Sequence, residues 1–263
     1  MNSYKFDDKQ HLHLLNGVAL TGTTTILDVL GKNLTWWAAE MAAISCLEAG
    51  EKIPTIRKEY LEACASEDKK KAIDALQKKY PAFKKARFAH FDDKNTKADK
   101  GTDLHADLEK LVKAFMAGES IPMVFPAEKA KLMDFCLWAK ENVSEFIASE
   151  VNVYDKILFI GGIVDCIAKL KDGTYAIIDF KSSKEVFFGQ MVQCSLYGLQ
   201  LARNGAFNAN GDRLLDPLEV SSYIVFPFGA KELKPVQNKN IKSLTEAAEA
   251  CVSLYRQKAI FEN

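Results

Sequence analysis

Two aspartates fall on neighbouring apolar segments of the sequence, residues 164–170 and 175–180. Both segments are partly β-branched, as strands prefer. Lys171-Asp172-Gly173 between them is typical of a hairpin turn, because glycine adopts positive φ freely. A three-residue turn would place Asp165 opposite Asp179, with their Cβ atoms about 5 Å apart. The sequence therefore predicts two carboxylates in close proximity.

A lysine completes this group. Lys181 follows Asp179 by two positions and points to the same face of its strand, while Ile178 and Phe180 point to the opposite face, which can join the core. Adjacent carboxylates repel each other, and Mg²⁺ would remove that repulsion because it prefers oxygen ligands, water and phosphate. Two carboxylates, a metal and a lysine beside a metal-bound water suit phosphodiester hydrolysis. A surface ion pair on a hairpin is the simpler interpretation of the same residues.

Further residues in a fixed order carry a resemblance to a known family. Gly162 precedes Asp165 by three positions, and Gln193 and Tyr197 lie four apart on one face of the helix predicted next. The three segments resemble the G-x-x-D, D-x-K and Q-x-x-x-Y motifs of PD-(D/E)XK nucleases, within the RecB-like, phage-type exonuclease branch. The combination and order carry this resemblance, since each short motif alone is common. The segments are Gly162-Ile163-Val164-Asp165, Asp179-Phe180-Lys181 and Gln193-Cys194-Ser195-Leu196-Tyr197.

The resemblance implies an α/β fold with a restriction-endonuclease-like PD-(D/E)XK core, in which a mixed central sheet is flanked by helices. Its elements would follow the order helix, three antiparallel strands, helix and strand. We expect this core over residues 100–263 and a mostly helical N-terminal extension over residues 1–99, packed on the catalytic face. Helical periodicity predicts helices over residues 35–50, 56–65, 69–80 and 126–147, and residues 92–99 are predicted as a polar linker.

The metal ligands are implied by the same resemblance. In the RecB-like branch, a histidine in the motif G-T-x-x-H-x-x-x-E binds the metal, and residues 101–109 match this motif around His105. Without the resemblance, His105 would be an ordinary structural residue of a helix. Lys181 would orient the attacking water. The ligands implied for one or two Mg²⁺ or Mn²⁺ ions are His105, Asp165, Asp179 and the main-chain oxygen of Phe180.

Three more residues belong to the expected site. By the resemblance, Gln193 and Tyr197 line the DNA side, where Gln193 would bind the nucleophile or a phosphate. Glu150 is predicted at the start of the first core strand. It is either an acid near the metal that contacts the ligands without binding the ion, or a solvent-exposed strand end.

Residues 69–87 are strongly basic, with Asp74 as their single acidic residue. Aromatic residues interleave with this segment and follow it, as a channel for single-stranded DNA would require. One interpretation is therefore a groove wall in which Lys78, Lys79, Lys84 and Lys85 contact DNA phosphates. The other is a solvated helical face. Trp36 and Trp37 would likewise either stack on bases or pack in the core.

Bulk composition limits the partners and the compartment. The 263 residues include 35 basic and 35 acidic side chains, so DNA would have to bind a local patch. The six cysteines include no C-x-x-C pair, which argues against a zinc site or a disulfide framework. Only Cys251 lies late in the chain, so we expect no iron–sulfur cluster of the kind some RecB-like nucleases hold. The first ten residues contain acids and no apolar h-region, so we expect no signal peptide. No apolar run approaches about 18 residues. We expect no membrane partner and a cytoplasmic protein, in the host cytoplasm if phage-encoded.

The resemblance implies metal-dependent hydrolysis of DNA that leaves a 5′ phosphate. We expect an exonuclease acting on DNA ends or single strands in recombination, repair or phage replication, with recombination or replication proteins as partners. A structure-specific endonuclease or nickase would share every motif above. A DNA-binding protein with an idle site would also resemble the family, although all the acidic and lysine positions are filled here.

Overall fold

The structure is a computed structural model and describes residues 3–31, 38–39, 42, 45, 53–121 and 125–262. These residues belong to two compact units. The larger contains Met1–Gly31 and Gly101–Asn263, and the smaller contains Lys32–Lys100. Trp36 and Trp37 lie outside the described residues, as does most of the helix predicted over residues 35–50.

Among the described residues, the elements come in runs of four strands, five α-helices, three strands, one helix, four strands and a last helix. The described helices are α1 (Thr23–Ile26), α2 (Ile53–Ala65), α3 (Lys69–Lys79), α4 (Pro81–Met116), α5 (Ala130–Asn142), α6 (Phe188–Asn204) and α7 (Ile241–Glu262). The described strands are β1 (Tyr4–Asp7), β2 (Leu12–Leu15), β3 (Val18–Ala19), β4 (Thr21–Gly22), β5 (Val143–Asp155), β6 (Ile160–Leu170), β7 (Tyr175–Lys181), β8 (Ala206–Phe207), β9 (Arg213–Leu215), β10 (Ser222–Pro227) and β11 (Val236–Asn238).

A mixed central sheet forms the middle of the larger unit. Its strands follow the order β11-β10-β7-β6-β5-β8-β9, and β4 pairs with β6 beside this path. Strands β5, β6 and β7 are antiparallel, whereas β10 runs parallel to β7 because α6 connects them. Strands β1 to β3 form a separate small sheet. The α/β class with a mixed sheet flanked by helices is therefore confirmed.

The β6–β7 hairpin has the register that the sequence predicts. Lys169 pairs with Tyr175, and the Leu170 N–H donates to the Thr174 oxygen at 2.8 Å, which leaves a three-residue turn. Gly173 has a φ of 85°, which strains any residue with a Cβ. The Asp172 carboxylate accepts hydrogen bonds from the main chain and hydroxyl of Thr174. The turn is thus fixed by its own side chains.

Apolar side chains cover both faces of the sheet. On one face, Leu108 and Val112 of α4 and Phe135 of α5 pack in a cluster that includes Ile178 and Phe180 of β7. On the other face, residues of α6 pack on the same strands. This second cluster includes Val164, Ile177, Met191, Cys194, Tyr197, Leu201, Tyr223 and Val225. Burial of each large apolar side chain stabilises the fold by roughly 1.5–3 kcal/mol, and together the two clusters hold α4, α6 and the strands in fixed relation.

Two predicted elements differ in the structure. The helix predicted over residues 126–147 ends at Asn142, and β5 begins at Val143. Val143 and Phe146 fit a helical spacing as well as a strand, but both pair with residues of β6. Glu150 therefore lies inside β5 and not at its start. The linker predicted over residues 92–99 is helical within α4, because residues 82–100 contain neither proline nor glycine to interrupt it.

The predicted boundary between residues 99 and 100 lies one residue from the end of the smaller unit at Lys100, and α4 runs through both positions. Residues 1–31, predicted as part of the N-terminal extension, belong to the larger unit. Strand β4 pairs with β6, and the Thr23 hydroxyl donates to the Gly161 oxygen at 3.0 Å. These long-range bonds leave no signal in local sequence periodicity.

None of the helices in the described part of the chain combines the length and the apolar character that a membrane crossing needs.

Candidate metal centre

Asp165 and Asp179 lie side by side on adjacent strands. Continued one residue beyond the Cys166–Ile178 pair, the register of β6 and β7 places the two aspartates opposite each other. The Phe180 N–H donates to Asp165 Oδ2 at 2.7 Å, which ties this side chain to β7. Both aspartates are buried, with 9% and 1% of their surface exposed. Two buried carboxylates on adjacent strands require compensating positive charge.

Glu150 extends this row of acids to a third strand. Ser149 and Val151 pair with the residues on either side of Asp165, so Glu150 lies opposite Asp165. Its φ of 50° departs from the extended backbone of β5. Such a conformation costs a non-glycine residue on the order of 1–2 kcal/mol and persists where the surrounding structure enforces it. This strained residue carries its carboxylate to the vicinity of His105 and Asp165.

His105 approaches the acids from α4. Its Nδ1 atom lies 3.6 Å from Asp165 Oδ1 and 3.9 Å from Glu150 Oε1. Leu108 and Val112 follow it along the same side of the helix and are fully buried, which fixes α4 against the sheet. The His105 ring also meets the Phe180 ring edge-on, with centroids 6.3 Å apart. The predicted proximity of His105 to the carboxylates is present in the structure.

The donor atoms of His105, Glu150 and Asp165 all lie within 4.8 Å of one another. Two ligands held about 2.1 Å from one ion are separated by about 3.0 to 4.2 Å, and both His105 distances fall in this range. Carboxylate oxygens suit Mg²⁺ and Mn²⁺, and an imidazole nitrogen adds a softer donor. The residues present therefore fit a divalent cation.

Asp179 is held by Lys181. The Lys181 Nζ atom donates to Asp179 Oδ1 at 2.7 Å and lies 2.6 Å from Oδ2. The Oδ2 atom is buried and accepts no well-oriented hydrogen bond from any described residue. An acceptor in this state retains capacity for a further partner. Both oxygens of Asp179 therefore contact the ammonium, and only Oδ1 does so through a well-oriented hydrogen bond.

Burial and mutual charge shift the protonation of the whole cluster. Burial raises the pKa of Asp179 to about 6, although Lys181 opposes this shift, and burial also raises the pKa of Asp165. Burial acts to lower the pKa of Lys181, but Asp179 and Asp165 outweigh it and the net shift is upward. The pKa of His105 is likewise raised, because Glu150 and Asp165 outweigh its burial. Burial is thus the largest cause for the two aspartates, whereas the negative charge of the acids raises the pKa of Lys181 and His105. A divalent cation would neutralise that charge.

Helix α6 supports the acids from the second face of the sheet. A Cβ atom at Gly162 would lie 2.5 Å from Tyr197 Cε1 and 2.7 Å from Thr23 Oγ1, so only glycine allows this approach. The Gln193 amide donates to the Tyr197 hydroxyl at 2.7 Å, and both residues are buried. Burial, together with the charges of Asp179 and Asp165, raises the pKa of Tyr197 well above its usual range. The structure buries these two residues beside the acids, close enough for the charges of Asp179 and Asp165 to act on Tyr197, and their contact with DNA stays a prediction.

The basic residues predicted to contact DNA belong to the smaller unit. Lys78 and Lys79 lie on α3, and Lys84 and Lys85 lie on α4; all four are exposed. Lys79 already forms an ion pair with Glu59, with Nζ at 2.9 Å from the carboxylate. This pairing reduces the charge that Lys79 can offer to a phosphate. The remaining three carry the predicted DNA contact.

Sequence reasoning missed the position of Glu150 beside His105. The sequence feature that could have predicted this position is the turn between β5 and β6. The length of this turn sets the register that pairs Glu150 with Asp165. That turn contains no glycine or proline; instead, the Asp155 carboxylate accepts from the N–H groups of Ile157 and Leu158 at 2.7 and 2.8 Å. An aspartate followed by such a bonded pair is typical of a turn. Thr23, which packs against Gly162, left no comparable signal.

Comparison with family models and with curated proteins gives no match to this chain.

Proposed function

We propose that this chain is a metal-dependent deoxyribonuclease with a PD-(D/E)XK core of the RecB-like type, acting as an exonuclease on DNA ends. One observation carries the proposal. Asp165 and Asp179 oppose each other on β6 and β7, Lys181 bonds to Asp179, and His105 reaches Asp165 from a preceding helix. The order of three antiparallel strands, α6 and a parallel strand supports the same assignment.

The residues that would hold the cation are His105, Glu150 and Asp165, whose donor atoms lie together. Asp179 would join them if its Oδ2 atom exchanged its contact with the Lys181 ammonium for the cation. A bound Mg²⁺ or Mn²⁺ supplies a water of lowered pKa and offsets the charge that develops on the phosphate. Glu150 takes part directly in this set, although the sequence suggested only a supporting or exposed position. Each of these residues comes from a different element, so the site requires the complete fold of the larger unit.

Lys181 acts as a cation in this scheme. Its raised pKa keeps the ammonium protonated at neutral pH, so it donates hydrogen bonds and does not remove protons. The Asp179 carboxylate, 2.7 Å from Nζ, fixes the direction of the ammonium. Lys181 can therefore orient an attacking water and stabilise negative charge on a phosphate oxygen at the same time.

The proposal is tested with matched linear and covalently closed circular DNA of one sequence, incubated with Mg²⁺ or Mn²⁺. We expect the linear DNA to be degraded from its ends, the circle to survive, and chelator to stop the reaction. Asp165→Asn should abolish the activity while retaining the fold, because the amide oxygen can still accept from the Phe180 N–H. Asp172→Asn, on the exposed turn, is the matched control and should remain active. Cutting of the circle would identify an endonuclease, and DNA binding without any cleavage would identify an idle site.

A further inference from the structure

Two consecutive phenylalanines are exposed where the loop after Lys181 enters α6. Phe187 and Phe188 have 52% and 60% of their surface exposed. They follow the short loop that leads from Lys181 into α6. Isolated exposed apolar residues are common, but adjacent exposed aromatic rings more often mark a binding surface.

The loop that carries these rings is held by hydrogen bonds. The Gln190 side chain accepts from the Phe187 N–H at 2.9 Å and donates to the Ser183 hydroxyl at 3.2 Å. The Ser183 hydroxyl in turn donates to the Glu185 oxygen at 2.8 Å. Val186 packs against the apolar cluster beneath α6. The two rings are therefore presented on an ordered turn, which limits the entropy lost when a ligand stacks on them.

Positive charge accompanies the rings. Lys184 in the same loop is exposed, and Lys231 is exposed on the neighbouring loop, which the Gly229 N–H joins to the Ser183 oxygen at 2.9 Å. Among the described residues, neither lysine forms an ion pair with a carboxylate. The acids of the two loops are Glu185 and Glu232, and Glu232 is paired with Lys234. Lys184 and Lys231 therefore face Glu185 alone, a net positive charge. Exposed aromatic rings beside unpaired cations match the chemistry of a single nucleic-acid strand, which presents base faces and phosphates together.

We infer that Phe187 and Phe188 form a stacking platform for the bases of a single DNA strand at the candidate metal centre. This inference rests on the proposed nuclease function. Phe188 precedes Cys194 by six positions, or about 9 Å along α6, and Cys194 is close enough to Asp179 and Lys181 for their charges to act on its pKa. This length corresponds to two or three stacked bases at about 3.4 Å each. The platform would hold bases next to the scissile phosphate, and base pairing would hide the faces it needs.

The test compares a labelled oligothymidylate with a strand of the same length in which every base is replaced by an abasic analogue. Binding is measured with Ca²⁺ in place of Mg²⁺, and cleavage is measured separately with Mg²⁺. We expect the wild-type protein to bind the thymidylate about tenfold or more tightly than the abasic strand, since stacking on an aromatic side chain contributes to this extent. Phe187→Ala/Phe188→Ala should bind both strands equally, at the level of the abasic strand.

Two controls separate stacking from general loss of apolar surface. Leu214→Ala/Leu254→Ala removes two side chains of similar exposure elsewhere and should keep the preference. Phe187→Trp/Phe188→Trp should also keep it, because an indole stacks at least as well as a phenyl ring. A preference that survives in the double alanine variant would overturn the inference, and the patch would then be assigned to a protein partner. The wild-type protein could also prefer the thymidylate through the two phenylalanines and yet cut no DNA. That result would support the stacking platform and contradict the nuclease proposal.

Discussion

The Lys181 ammonium lies within 2.7 Å of both oxygens of the Asp179 carboxylate, yet it forms a well-oriented hydrogen bond with only one of them. The second oxygen is buried and contacts the ammonium at 2.6 Å without a well-oriented hydrogen bond. In the proposed site, Oδ1 directs the lysine, and Oδ2 would exchange its contact with the ammonium for one with the cation. Changes at the two residues should therefore have different consequences.

Lys181→Ala should abolish cleavage and leave metal binding intact, because an ammonium is not a metal ligand. Isothermal titration with Mn²⁺ measures the second property directly, and its affinity should equal or exceed that of the wild type once the competing cation is gone. Lys169→Ala, on β6 with its amine over the Tyr175 ring, is a matched control that should keep activity. Loss of Mn²⁺ affinity in the Lys181 variant would show that the division of roles is wrong.

Without metal, Asp179 should make stability depend on pH. Burial raises its pKa from 3.8 to about 6, so the folded state binds the proton more tightly than the unfolded state. The free energy of unfolding should therefore fall as the pH rises from about 4 to about 6, and remain low above it. Asp179→Asn should remove this dependence between pH 4 and pH 6.

Denaturant unfolding in chelator at a series of pH values measures this effect. Added Mn²⁺ should stabilise the wild type at pH 7 and have little effect on the Asp179→Asn protein, since the cation favours the ionised carboxylate. A wild type whose stability in chelator rises between pH 4 and pH 6, or an Asp179→Asn protein that keeps the wild-type pH dependence, would contradict the expectation.

His105→Ala should raise the metal concentration needed for cleavage, or abolish cleavage. A protonated imidazole cannot bind a cation, and the neighbouring acids raise the pKa of His105 above its ordinary value near 6.5. The metal requirement of the wild type should therefore increase as the pH falls through neutrality, and saturating metal should extend activity to lower pH. Cleavage measured against Mn²⁺ concentration at pH 6 and pH 8 gives both results. An unchanged metal dependence with reduced thermal stability would make His105 a structural residue.

The sequence was sufficient for the β6–β7 hairpin because one glycine turn determines its register. The same register brings Asp165, Asp179 and Lys181 together from local signals alone. His105 was reachable only through the resemblance, since the packing of Leu108 and Val112 on the sheet brings it near Asp165. Glu150 was misplaced because its strand begins at Val143, where apolar spacing does not distinguish a strand from the end of a helix. Its left-handed backbone is a tertiary effect that local propensity does not contain.

The basic side chains of the smaller unit should contribute to DNA binding through phosphates. Replacing Lys78, Lys79, Lys84 and Lys85 by Gln should weaken duplex binding and reduce the slope of log affinity against log salt by up to about 0.9 for each lost contact. Lys79 should contribute least, because Glu59 already pairs with it. The matched control replaces Lys5, Lys9, Lys239 and Lys242 by Gln, which changes the net charge equally. Equal slopes in the two variants would show that residues 69–87 form a solvated helical face and do not contact DNA phosphates.

The central claim is that one cluster of residues holds the cation used for DNA cleavage. Crystals grown with Mn²⁺ at a concentration that supports cleavage, and measured at the manganese absorption edge, would locate that cation directly. We expect an anomalous peak about 2.0–2.3 Å from His105 Nδ1 and Asp165 Oδ1, with Glu150 or Asp179 completing the protein ligands. Absence of a peak at these side chains, in crystals of protein that degrades DNA under the same conditions, would contradict the claim.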